Sequence, residues 1–132
     1  MTHLLDSSAV IAYYFDEPGA DQVAFLLEDN RNPPAVSCIT EIEFWSRLRS
    51  LGDESSFESN WKEIAEIVSI EPLTTNAATR AREIRHACQE RLPTVDSLIA
   101  ATASVRDITL VHRDPHFQSI PSRFLKQLYI GQ

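Results

Sequence analysis

Short apolar runs separated by helix-length amphipathic stretches predict an α/β fold, a three-layer α/β/α sandwich around a central parallel sheet. Three observations carry that expectation. The runs at 3–5, 35–38, 68–72, 108–111 and 128–130 are only three to five residues long, the length of buried strands. Proline, glycine or asparagine breaks the chain at several of the junctions. Acidic residues recur just beyond the strand-like runs or at the start of the helix that follows. At 132 residues and 43% hydrophobic, the chain fits one domain spanning 1–132.

The elements follow in order. His3-Leu4-Leu5 reads as a strand ending at Asp6, and Ser7-Ser8 leads into a helix through Phe15. Asp6 or Ser7 would cap that helix on local grounds alone. Pro18-Gly19 opens a second helix with Val23, Leu26 and Leu27 on one face, running to about Asp29. Asn30 to Pro34 break it, and Ala35-Val36-Ser37-Cys38 reads as the next strand. A third helix should run from about Thr40 to Leu51, stopped by Gly52, with Thr40, Glu43 and Arg47 on one face. Taken alone, Glu43 would pair with Arg47 four residues on. A fourth helix directs Phe57, Trp61 and Ile64 to the core; both Trp45 and Trp61 read as packing rather than base-stacking platforms. Residues 68–72 form a strand stopped by Pro72, and Thr74 or Thr75 caps a helix to about Glu90. After Pro93 comes a helix around Asp96, then the strand 108–111, the segment His112 to Phe117, and a short final strand.

Charge and cysteine usage limit the function. The formal net charge is −7, the wrong sign for holding a phosphate backbone through general electrostatics, so nucleic-acid chemistry would need a metal or a partner. The most basic stretch is the helix over 74–90 with Arg80, Arg82, Arg85 and His86, a solvated face or a local phosphate-steering patch. Cys38 and Cys88 lack metal-ligand spacing and suit a reducing compartment. No basic leader and no stretch of transmembrane length is present, so a cytoplasmic protein without a membrane role is expected.

The chemistry centres on Asp96. Ile99, Ala100 and Ala103 lie three, four and seven residues beyond it and share its helical face. A carboxylate at the head of a core-facing stripe needs compensation by the helix N-terminus, hydrogen bonds or a cation. In a parallel sheet all carboxyl strand ends face one way, so Asp6, Glu43, Asp96 and Asp114 are expected to meet at one edge. Clustered carboxylates raise one another's pKa and call for a cation, and oxygen-only donors suit Mg²⁺ or Mn²⁺ rather than zinc. Such a site hydrolyses phosphodiesters.

Leu5-Asp6-Ser7-Ser8, Thr40-Glu41-Ile42-Glu43, Asp96-Ser97-Leu98-Ile99-Ala100-Ala101-Thr102-Ala103 and Asp114-Pro115-His116-Phe117 together resemble the PIN domain, and more closely the VapC toxins of the VapBC toxin–antitoxin class. The resemblance spans nearly the whole chain and implies an Mg²⁺-dependent endoribonuclease. In it Asp6, Glu43, Asp96 and Asp114 are metal ligands, and Ser8 and Thr40 support them by hydrogen bonding. Members of that class often carry threonine where His112 stands and a second acid where His116 stands. Arg82 and Arg85 are expected to help hold RNA. The resemblance further implies a homodimer and a small antitoxin whose tail places an arginine among the acids. Phe44, Trp45 and the helix of Trp61 could line a groove for that tail or fill the core. A degenerate PIN-like domain that binds RNA or a protein without cutting is the alternative. A phosphoaspartyl phosphatase would want an acid where Ser8 stands, and a receiver domain would want paired acids at the first strand and a suitably placed late lysine.

Overall fold

Residues Leu4, Ala35 and Leu110 turn to one face of a sheet, while Leu5, Val36 and Val111 turn to the other, as the two-residue period of a strand requires. The strands are β1 (His3–Leu5), β2 (Ala35–Ser37), β3 (Ser69–Glu71), β4 (Thr109–His112) and β5 (Gln127–Tyr129). In the computed structural model, which describes residues 1–131, they pair in parallel in the order β3-β2-β1-β4-β5. Around them lie α1 (Ser7–Tyr14), α2 (Ala20–Leu27), α3 (Ile39–Ser50), α4 (Phe57–Ile67), α5 (Thr75–Ala87) and α6 (Thr94–Arg106). Being apolar on both faces, the short central strands need cover on both sides.

The two covers differ in chemistry. Residues of α1 to α4 pack with Leu5, Val36 and Val111 around an aromatic group in which Phe57 and Trp61 stack at 6.1 Å and Phe44 tilts against both. On the opposite face α5 and α6 contribute small residues, and Ala100, Ala101 and Ala103 are fully buried. Methyl side chains let the α6 backbone lie close to its neighbours, which brings its first turn near the sheet edge.

The chain winds outward from β1 through β2 to β3, then returns to the other side of β1 for β4 and β5. The connections leaving β1 and β4 therefore go opposite ways. A crevice opens between their carboxyl ends, which is where ligands bind in open α/β sheets. Asp6 and Asp114 follow those two strands.

Several boundaries differ from the sequence expectation. The fifth helix ends at Ala87 rather than near Glu90, because Leu92 is 2% exposed and must drop into the core. Arg85 ties that loop down by donating from Nε to the Leu92 carbonyl at 3.0 Å. The second helix stops at Leu27, and the Asp29 carboxylate accepts the Arg31 and Asn32 amides, turning the chain. Gly19 sits at φ 100°, and a Cβ there would meet the Ile130 carbonyl at 2.5 Å, so position and conformation both demand glycine. Phe44 is a buried core residue, which removes it as lining for a groove, and Trp61 is buried as its helical stripe predicts; Trp45 keeps some exposure and lies against the Arg49 guanidinium. Among the described residues no helix is long and apolar enough to cross a membrane.

Candidate active site

Asp6 leaves β1 in an extended conformation and caps α1, its carboxylate accepting the Ser8 amide at 3.0 Å and the Ser8 hydroxyl at 2.5 Å. Capping and site placement are thus one feature, not rivals. The Ser8 hydroxyl oxygen in turn accepts the Arg113 amide at 2.9 Å. One side chain therefore joins the acid after β1 to the segment after β4, 105 residues away in sequence.

Glu43 stands on α3, one turn beyond Thr40. It makes no ion pair with Arg47 among the described residues; instead the Ser7 hydroxyl donates to its Oε1 at 2.5 Å and lies 3.2 Å from the Thr40 hydroxyl. Thr40, fully buried, therefore acts on Glu43 through Ser7 rather than directly. Ser7 is a site residue that the motif reading passed over, although the Ser7-Ser8 doublet marked the place.

Asp114 opens a short 3-10 turn, Pro115–Ser119, and its Oδ1 accepts the His116 amide at 3.0 Å. Its own amide donates to His112 Nδ1 at 3.1 Å. That bond leaves the His112 proton on Nε2, which donates to Gln127 Oε1 at 2.8 Å, and Gln127 Nε2 donates to the Phe117 carbonyl at 3.0 Å. Buried His112 is thereby a neutral brace for the Asp114 segment. Burial lowers its pKa, against the opposing influence of Gln127 and Asp114. The brace is an imidazole on β4 and a glutamine on β5.

Asp96 sits in the first turn of α6, with its side chain 17% exposed. Its carboxylate oxygen, one from Asp114 and the His116 Nδ1 all lie within 4.8 Å of one another. Asp6 and Glu43 stand outside that tight group but within its field. Burial raises the Asp96 pKa most, followed by the charges of Asp6, Asp114 and Glu43, to about 6 despite His116 nearby. Burial likewise raises Asp6, with Asp114 adding and the Ser8 bonds opposing. Glu43 is raised by burial first and by Asp6 and Asp114, against the Ser7 hydrogen bond. All four acids named from the sequence therefore face one another at the sheet edge. Carboxylate oxygens in mutual repulsion, with one imidazole nitrogen beside them, are a donor set that fits a divalent cation.

Arg82 is exposed on a groove between α5 and α6 that also carries Arg85, Thr94 and Ser97. Thr94 and Ser97 share one face of α6, the face turned to α5, and none of the four acids lines this groove. Arg85 spends its Nε on Leu92, so only part of its guanidinium faces outward.

Solved structures share this architecture across the whole chain. VapBC2 from Rickettsia felis bound to a DNA fragment from its promoter superposes with a TM-score of 0.78 at 19% identity, covering 98% of both chains. VapBC-1 from nontypeable Haemophilus influenzae gives 0.78 at 17% identity over 100% of both. VapC20 from Mycobacterium tuberculosis, a sarcin-ricin loop cleaving toxin, gives 0.70 at 18% identity over 95% of this chain and 98% of its own. No curated protein matches at the level of sequence. The PIN domain family model matches residues 3–122, and with its order of acids, its parallel sheet and its switch-point crevice this chain belongs to the PIN domain family.

Proposed function

We propose that this chain is a metal-dependent endoribonuclease, the VapC-like toxin of a type II toxin–antitoxin pair. The observation that carries it is the meeting of Asp6, Glu43, Asp96 and Asp114 in one another's field at the crevice between β1 and β4. Those four residues would hold Mg²⁺ or Mn²⁺. When bound, such an ion supplies a nucleophilic water near neutral pH and offsets charge developing on the phosphate.

The chain's own groups do the positioning. Ser8 keeps Asp6 and the Arg113 amide in register, Ser7 orients Glu43, and His112 with Gln127 holds the Asp114 segment. Arg82 and the free part of Arg85 supply positive charge on the groove between α5 and α6, where an otherwise acidic chain needs it to hold RNA. A single domain, 1–132, carries the activity.

A cognate antitoxin follows from the likeness to VapBC complexes. An arginine from its tail would make bidentate hydrogen bonds to these carboxylates and compete with the cation. The same resemblance carries a homodimer and a cytoplasmic location. The test is cleavage of a structured RNA by the purified chain with Mg²⁺ or Mn²⁺ and in chelator, beside Asp96→Asn. Metal-dependent cleavage lost in the variant supports the proposal. A folded chain that binds RNA without cutting it under any ion makes this a binding domain instead.

A further inference from the structure

Two histidines lie within four residues of each other near the fourth acid, and the structure uses them differently. His112 is fully buried with both ring nitrogens engaged, by Gln127 and the Asp114 amide. The His116 side chain is 60% exposed and is not held by packing, yet its Nδ1 points at carboxylates, 3.2 Å from Asp114 Oδ1 and 3.8 Å from Asp96 Oδ2. No other hydrogen-bond partner engages that ring among the described residues.

We infer that His116 Nδ1 is a metal ligand alongside Asp96 and Asp114, and that it shifts the site's preference from Mg²⁺ towards first-row transition ions such as Mn²⁺ and Co²⁺. The inference rests on the nuclease reading above and deepens it. Neighbouring donors at about 2.1 Å from an octahedral ion lie about 3.0 Å apart, and somewhat farther apart around a tetrahedral one. The separations from Nδ1 to the two carboxylate oxygens, 3.2 and 3.8 Å, thus need only small side-chain adjustment to share an ion. The backbone helps, because the His116 amide already fixes Asp114 Oδ1 in the same turn.

Donor chemistry sets the consequence. Mg²⁺ prefers oxygen and retains its waters, so an imidazole adds little to its binding. Later first-row ions gain from a nitrogen donor, in the order of their usual affinities. An acid at position 116 would keep an all-oxygen site, whereas histidine makes a mixed one.

The experiment is calorimetric titration of the untagged full chain with Mg²⁺, Mn²⁺ and Co²⁺ separately, together with the visible absorption of bound Co²⁺ and ion-induced shifts in melting temperature. These are run for wild type, His116→Ala, His116→Gln and His116→Asp. His116 is exposed, so the variants should fold, and circular dichroism checks this. Co²⁺ affinity is expected to fall roughly tenfold or more in His116→Ala and His116→Gln, at least the effect of losing an outer-shell partner. Mg²⁺ affinity should change less than about twofold in those two variants and rise in His116→Asp, because oxygen replaces nitrogen. A Co²⁺ to Mg²⁺ affinity ratio that is the same in wild type and His116→Ala overturns the assignment while leaving the carboxylate site standing. Absence of any ion-induced shift in wild type overturns both this inference and the metal-dependent reading beneath it.

Discussion

The two walls of the acidic crevice are built differently. On one side Asp6 and Glu43 are each held by a serine hydroxyl at 2.5 Å, from Ser8 and Ser7, with Thr40 behind them. On the other, Asp96 receives no hydrogen bond from a hydroxyl among the described residues, and His116 is the basic group that approaches it. The first wall is shaped when the chain folds. The second is held in proximity by helix α6 and the Asp114 turn, with repulsion left over, and that repulsion is what a cation relieves.

The largest expected effect tests the second wall. Asp96→Asn should reduce metal-dependent RNA cleavage by roughly 100-fold or more, since outer-shell changes alone cost up to about that much in metal sites. Chelator should reduce wild type to the same level, and the variant should remain folded by circular dichroism. Cleavage within a few-fold of wild type would mean the crevice works without this carboxylate.

The next effect tests the first wall. Ser8→Ala removes a hydroxyl that both donates to Asp6 and accepts from Arg113, leaving two partly buried groups short of a partner. A loss of about 1–3 kcal/mol in unfolding free energy is expected from denaturant titration. Ser8→Thr, which keeps the hydroxyl, should recover most of it. If the alanine variant is as stable as wild type, the bridge between Asp6 and the Asp114 segment carries no weight.

A smaller effect has an unusual sign. The folded chain raises Asp96 to about 6, so folding favours its protonated form, and its unfavourable contribution builds up as pH rises from the ordinary carboxylate range to that value and is fully present above it. In chelator at pH 7.5, Asp96→Asn is therefore expected to be more stable than wild type by about 1–2 kcal/mol. The shift alone corresponds to about 3 kcal/mol, reduced here for solvent at the open pocket. The advantage should shrink as pH falls through 6 and be gone near pH 4. His112 acts oppositely: its lowered pKa means stability is lost as pH drops below the usual imidazole range, but that loss is common to both proteins and cancels in their difference. Melting curves across pH in chelator measure it, and a wild type more stable than the variant at pH 7.5 would contradict the electrostatic account.

The smallest effect lies outside the walls. Replacing Arg82 and Arg85 by Gln should raise KM for RNA several-fold and flatten the salt dependence of binding by about one to two in log–log slope. Arg85→Gln alone should also cost about 1 kcal/mol of stability through the lost Leu92 bond, which Arg82→Gln should not. An unchanged salt slope would leave Arg82 as solvated surface.

Local pattern made the strands, the helices and the four acids legible, because each is a near-neighbour property: a two-residue or 3.6-residue period, a capping acid, a breaker at Pro18-Gly19 or Gly52. The convergence of Asp6, Glu43, Asp96 and Asp114 was also within reach, since parallel strands send their carboxyl ends one way. What sequence pattern could not distinguish was which partner each side chain takes. Glu43 has Arg47 one turn away and takes Ser7 from another helix; Phe44 suits a groove or a core and fills the core. The fifth helix ends early because Leu92 gains more by burial than the helix gains by three further residues. The difference between His112, braced on Gln127, and His116, aimed at carboxylates, depends on β5 packing beside β4. Periodicity and caps act within a few residues and can be read along the chain; these choices are made between groups distant in sequence, where only the tertiary packing sets which are close enough to interact.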